Sequence, residues 1–301
     1  MLLERLGKEL LYFDGGMGTL LQSKGLQPGE LPEVWNLEHA EEIIDIHKAY
    51  FEAGSDIVLS NTFGANAIKF HDSKYGLKEI VTAGIQNAKK AAERGVHDGR
   101  KTYVALDVGP TGKLLKPMGD LSFEDAYDAF KETMIYGEQA GADLINDIWG
   151  LKYDARMAEV IAKSGLACCL MHNRDNAEYR NFMEDMKQDL RETIALAKAA
   201  GIADDKIILD PGVGFAKSYE NNLEVISRLK EFNELKYPVL LGTSRKSVIG
   251  LTLDLPAAER VEGTIVTTVM AVEAGCMFVR VHDVKENHRA IQMAEAILDR
   301  K

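Results

Sequence analysis

Eight short runs of apolar and β-branched residues punctuate the chain. Each gives way to a longer stretch in which apolar positions recur every three or four residues. The runs lie at 10–14, 56–61, 102–108, 143–148, 167–172, 206–211, 238–244 and 277–283. They are too continuously apolar for half-exposed strands, and they suit a parallel sheet covered on both faces. The stretches between them read as helices. Within 122–142, apolar and aromatic positions return at helical spacing, and Ser122 ahead of an acidic first turn is a helix-start signal. Gly54, Gly141, Gly165, Gly201 and Gly275 each stand just before a strand run, where glycine ends a helix through a left-handed cap. Five copies of one helix–glycine–strand joint predict repeated α-to-β turns.

Eight strands alternating with helices over 301 residues predict an α/β fold, a single (β/α)8 TIM barrel spanning 1–301. A doubly wound open sheet is the alternative. It would carry a glycine fingerprint after its first strand, and FDGGMGTLLQ is only a weak match with no acidic ribose partner following it. No Pro- or Ser-rich linker divides the chain.

Composition narrows the function classes. Hydrophobic residues make up 46% and charged residues 28%, as in ordinary globular proteins. The net charge of −11 argues against nucleic acid and anionic membranes as partners. It leaves room for a local cationic site that takes a small phosphate-bearing ligand. Cys168, Cys169 and Cys276 lie in apolar runs and read as buried thiols in a reducing compartment. Charges interrupt the first residues every few positions, and no 18-residue apolar stretch occurs. A cytoplasmic location is expected.

In a barrel, chemistry sits at the C-terminal ends of strands. The first three strand runs end in DGGMGT, SNTFGAN and DVGPTG, each of which on its own is a plausible plain βα turn. Together, in this order and at this spacing, they resemble the homocysteine-binding (S-methyltransferase) domain of cobalamin-dependent methionine synthase. The segment PEVWNLEHAEEIIDIHKAYFEAGSDIVLSNTFGAN continues the resemblance, which covers about residues 8–142. Gly16, Thr19, Asn61 and Thr62 would be remnants of its substrate site. That family holds zinc through three cysteines to activate a thiolate. Here Cys168 and Cys169 are adjacent within a strand, so at most one faces the barrel interior. Asn146-Asp147-Ile148 also stands where the family has a glutamate. Zinc and cobalamin are therefore not expected, and homocysteine methyl transfer is not expected either.

From about residue 143 to 298, INDIWG, CLMHN, ILDPGVGFAK, LLGTSRKSVIG and VRVHDV resemble the successive strand ends of dihydropteroate synthase. That family joins a pterin bearing a CH2-pyrophosphate group to 4-aminobenzoate in folate biosynthesis. The resemblance implies that Asn146, Asp210 and Lys246 bind the pterin over an apolar floor at Met171. Arg280 and His282 would hold the pyrophosphate, with Arg280 also against the ring. The catalytic set it implies is Lys246, Arg280 and His282. Asp107 could stand in for a pterin-bonding aspartate after strand 3. Bland readings remain for two of these residues, since Asn146 could cap a turn and Asp210 is a good turn residue before Pro211.

The chain thus reads as a hybrid, with 1–142 homocysteine methyltransferase-like and 143–301 dihydropteroate synthase-like. A joint inside one barrel looks like an engineered recombinant, with a natural fusion as the other source. DGGMGT and SNTFGAN replace the loops that the second family uses for magnesium-pyrophosphate and for the aromatic amine. The expectation is therefore a pterin and pyrophosphate half-site with little or no turnover. An active synthase-type transferase and an inert scaffold are the alternatives. No cofactor should be tightly bound, although Mg2+ could accompany pyrophosphate. A homodimer is possible. The new contacts between strands 3 and 4 and between strands 8 and 1 are where packing is most at risk.

Overall fold

The computed structural model describes residues 2–5, 8–113, 119–153 and 156–298. The outermost ends of the 1–301 domain expectation, residue 1 and residues 299–301, lie outside the described residues. All eight expected strands are present: β1 Leu11–Phe13, β2 Ile57–Leu59, β3 Tyr103–Val108, β4 Leu144–Asp147, β5 Ala167–Met171, β6 Ile207–Asp210, β7 Leu240–Leu241 and β8 Phe278–Arg280. The main helices that follow them in turn are α1 Ala40–Ala53, α2 Leu77–Gly95, α3 Phe123–Ala140, α4 Met157–Ser164, α5 Phe182–Ala199, α6 Tyr219–Ser227, α7 Val261–Ala274 and α8 Val284–Leu298. The strands pair in parallel in the order β6-β5-β4-β3-β2-β1-β8-β7, which is a nearly closed (β/α)8 barrel.

The anticipated joints form as expected. Gly54, Gly141, Gly165, Gly201 and Gly275 all have positive φ. Ser122 caps α3, its hydroxyl accepting the Asp125 N–H at 3.1 Å.

Strand alternation splits the core in two. Leu11, Phe13, Ile57, Leu59, Tyr103, Ala105, Leu144, Cys169, Ile208, Leu240 and Phe278 fill the barrel interior. Their sequence neighbours, such as Val58, Val104, Ile145, Cys168 and Val279, pack in the larger core with helix residues. This packed interior floors whatever binds at the mouth.

The two strand contacts expected to carry the packing risk are paired without a break. β3 and β4 align Ala105 with Leu144 through Val108 with Asp147. β1 and β8 align Leu11 with Phe278 through Phe13 with Arg280. The Phe13 and Phe278 rings meet edge to face at 5.7 Å. The thinnest seam lies elsewhere, between β6 and β7, where a single bridge joins Leu209 and Val239 and the Leu209 N–H reaches Pro238 O at 2.9 Å. Pro238 has no N–H to return, so the ladder starts one donor short.

Candidate active site

The strands that line the interior with apolar residues end in polar ones two positions further on. Asn146 follows Leu144, Asp210 follows Ile208, Arg280 follows Phe278, and His282 comes two residues later. These side chains converge with Met171, Phe215, Lys246 and Gly16 on a cavity of about 260 Å3 at the barrel mouth. Seven of the expected site residues, Gly16, Asn146, Met171, Asp210, Lys246, Arg280 and His282, therefore line one space.

Asp107 stands beside that space. It is opposite Asn146 in the β3–β4 ladder, and the Asn146 amide donates to its Oδ1 at 2.9 Å. Both side chains are buried. Burial raises the Asp107 carboxyl above its ordinary range, opposed by the Arg280 charge and the Asn146 bond. Asp210 is likewise raised by burial and pulled back by Lys246. Its Oδ1 accepts the Gly212 N–H at 2.7 Å, which fixes the carboxylate against the turn. Lys246 is pushed down to about 8 by burial, with Asp210 opposing. Its ammonium lies 4.9 Å from the Phe215 ring centre and donates to Val213 O.

His282 is pushed down to about 4 by burial and by the neighbouring Arg245 and Arg280 charges, so it is neutral near pH 7. Its backbone N–H donates to Ser244 Oγ at 3.1 Å, and its ring Nδ1 pairs with the same oxygen at 3.0 Å. If that hydroxyl spends its one hydrogen on Nδ1, Nε2–H is left as a donor. Gly15 makes room for this arrangement, because a Cβ there would sit 2.6 Å from His282 Cα and 2.7 Å from the Tyr50 hydroxyl. Arg245 is tied to Asp283 at 2.6 Å. The mouth therefore offers an acid, an amide, a lysine and an arginine around an apolar floor. That set can match the donor–acceptor edge of a heterocycle and hold an anion beside it.

The remaining expected residues are placed differently. Asn61 is buried, and its amide donates to Pro32 O at 2.8 Å and Asn36 Oδ1 at 3.0 Å. The Thr62 hydroxyl donates to Asp107 O at 3.0 Å and accepts the Asp107 N–H at 3.2 Å. Thr62 thus braces the end of β3, Asn61 ties the end of β2 to the 32–36 segment, and neither lines the cavity. Thr19 is exposed on the short helix Met17–Ser23. Cys169 faces the barrel interior, whereas Cys168 and Cys276 belong to the outer core. Burial pushes the Cys276 thiol up to about 12 and Cys168 further still. The three sulfurs do not converge.

Sequence reading missed four residues. Phe215 lines the cavity. Asp14, fully buried, accepts the Leu59 N–H at 2.9 Å and is pushed up to about 8 by burial against the pull of Arg280. Lys217 and His172 meet at 3.0 Å behind the β6–α6 loop. A cation and an aromatic on the glycine-rich GVGFAK turn were the available signal.

A parallel barrel that gathers an acid, an amide and cationic side chains around one cavity at its strand ends has the layout of a (β/α)8 enzyme. The sequence model of the family described as Pterin binding enzyme matches residues 126–282. The dihydropteroate synthase of Clostridium beijerinckii is 60% identical over 241 residues, covering 77% of this chain and 88% of that protein. That of Bacillus subtilis is 49% identical over 221 residues, covering 73% and 76%. The chain belongs to the dihydropteroate synthase family of pterin-binding enzymes.

The family described as Homocysteine S-methyltransferase matches residues 11–164. The two family matches therefore overlap across 126–164, on either side of residues 142 and 143. The Clostridium beijerinckii similarity also covers more of the chain than 143–301 can supply. Among solved structures, the dihydropteroate synthase of Clostridium difficile in the presence of pteroic acid superposes with a TM-score of 0.69. It is 30% identical and covers 97% of this chain and 98% of its own. The Yersinia pestis dihydropteroate synthase with a sulfonamide drug, 24% identical, matches the fold with a TM-score of 0.72 over 98% and 96%.

Proposed function

We propose that the chain is a working transferase of dihydropteroate synthase type and that the cavity at the barrel mouth is its pterin site. The observation that carries this reading is the acid–amide–lysine set, Asp107, Asn146, Asp210 and Lys246, gathered over Met171 with Arg280 and His282 at the rim. Asp210 and Asn146 pair with the polar edge of the pterin. Arg280 and the Nε2–H of His282 hold the pyrophosphate. In the reaction, the C–O bond to pyrophosphate breaks and the amine nitrogen of 4-aminobenzoate bonds to the same methylene carbon. The amine then loses a proton and pyrophosphate leaves. Arg280 offsets charge on the departing oxygens, where a fixed cation in a dry site acts most strongly.

Turnover is favoured over a silent half-site. Similarity to dihydropteroate synthases reaches well beyond the second half of the chain, and Asp107 from the first half completes the polar set. Magnesium, where present, would accompany the pyrophosphate and offset its charge. Among the described residues no three His, Cys, Asp or Glu side chains gather to hold a cation, so the phosphate oxygens would supply its ligands. The family matches overlap across 126–164, and the similarity to dihydropteroate synthases extends into the first half, so a single synthase-type barrel is favoured over a joint at 142–143. They do not support methyl transfer, because the cysteines are dispersed and protonated.

The test is pyrophosphate release by the purified full chain with a pterin pyrophosphate, 4-aminobenzoate and magnesium. Release that requires both substrates and falls at least a hundredfold in D210A carries the reading. Pterin binding without release returns the chain to a half-site, and absence of both leaves an inert barrel.

A further inference from the structure

Outside the residues that line the cavity, three polar groups form a line that the proposed reaction does not use. Lys217 Nζ donates to Gly212 O at 2.9 Å and to Phe215 O at 2.9 Å, and meets His172 Nδ1 at 3.0 Å. His172 Nε2 meets Asp189 Oδ2 at 2.9 Å, and that same oxygen accepts from Arg174 Nε at 2.6 Å. The hydrogens can be assigned from these contacts. Two carbonyls and an imidazole nitrogen are three acceptors, which use all three hydrogens of an ammonium. His172 must then be neutral with its proton on Nε2, facing the Asp189 carboxylate. Arg174 and His172 hold that carboxylate well below its usual range against the effect of burial.

The loop so gripped needs a clamp. Gly212, Gly214 and Ala216 all have positive φ, and Ala216 at +46° has a Cβ to accommodate there. A Cβ on Gly212 would lie 2.0 Å from His172 O, so the loop is pressed against the end of β5. The loop also carries Phe215 into the cavity and fixes Asp210 through the Gly212 N–H. Lys246 grips its other side through Val213 O.

We infer that Lys217, backed by His172 and Asp189, is a positioning residue for pterin recognition, holding the 212–216 loop so that Asp210 and Phe215 meet the ring. This rests on the cavity being the pterin site. Burial pulls the Lys217 ammonium down to about 7, opposed by Asp210. The groups facing it are Asp210, Lys246, Asp189, Arg174 and His172. A clamp that loses its proton near neutrality lets the loop relax, so pterin affinity declines as pH rises through that range.

The experiment measures binding of 6-hydroxymethylpterin and, separately, of inorganic pyrophosphate to the full chain, K217M and K217R. K217M should lose at least tenfold in pterin affinity while pyrophosphate, held by Arg280 and His282, stays within about twofold. K217R should keep most of the pterin affinity, and its alkaline limb should move upward because the group at position 217 no longer titrates near neutrality, leaving Lys246 and Asp14 at about 8. If K217M does not fold, the K217R pH profile decides, and an unmoved limb overturns the inference. Equal pterin binding by parent and K217M, or equal losses for both ligands, also overturns it. A parent chain that binds pyrophosphate but no pterin overturns the reading of the cavity, and this inference with it.

Discussion

The side-chain amide of Asn146 donates to Oδ1 of Asp107 at 2.9 Å, with the two residues side by side in neighbouring strands. Of the two family models, only that of Homocysteine S-methyltransferase reaches Asp107, whereas both include Asn146. The bond ties β3 to β4 beside the cavity at the barrel mouth. It orients the amide toward the cavity, since one of its hydrogens is committed to the carboxylate.

Removing that partner is the first test. D107A leaves the buried Asn146 amide unmatched and should cost about 1–3 kcal/mol of stability. It should also weaken pterin binding, because the amide is free to rotate. D107N keeps an oxygen acceptor and should lose less of both. Denaturant unfolding and pterin titration of the three proteins measure this, and an Asp107→Ala chain as stable and as tight-binding as the parent would refute it.

Asp14 predicts an alkaline weakness. Its folded carboxyl is raised to about 8 from an ordinary 3.8, so the fold favours its protonated form. The stability it contributes is complete below pH 3.8 and is lost as pH rises through 8. D14N keeps an oxygen for the Leu59 N–H without the charge. Its Tm should exceed the parent's at pH 8.5 by several degrees and converge with it near pH 4. Thermal melts across that range decide the point, and a constant difference would show that Asp14 is not the cause.

Gly15→Ala tests the contact between the first and last strands. The new Cβ has no room against the His282 main chain, and such overpacking costs about 1–3 kcal/mol. Displacing His282 should weaken pyrophosphate binding about tenfold. Gly18→Ala, whose Cβ would meet nothing within 4 Å, is the control and should bind as the parent does.

The thin β6–β7 seam should open first. Hydrogen exchange at Leu209, Leu240 and Leu241 is expected to be faster than at Ile145 and Cys169, which sit in four-residue ladders. Slower exchange at β7 than at β4 and β5 would remove the seam as the weak point.

Much of this molecule was legible in the order of its residues. The strand runs, the Ser122 cap and the five glycine joints depend on local backbone preference and on side-chain period, both of which act between near neighbours. The convergence of Asn146, Asp210, Arg280 and His282 follows from the same period, because residues two apart on a strand share a face. Tertiary structure alone decided the rest. Asn61 and Thr62 look like site residues in their motif, but contacts with Pro32, Asn36 and Asp107 turn them inward. The Lys217–His172–Asp189 line joins three elements, and the 17 and 45 positions separating its contacts leave no local trace. Four-residue ladders join β3 to β4, β4 to β5 and β5 to β6 alike, and the weakest seam lies between β6 and β7. Pairing strength depends on which donors face each other across strands, and only the closed barrel brings those donors together.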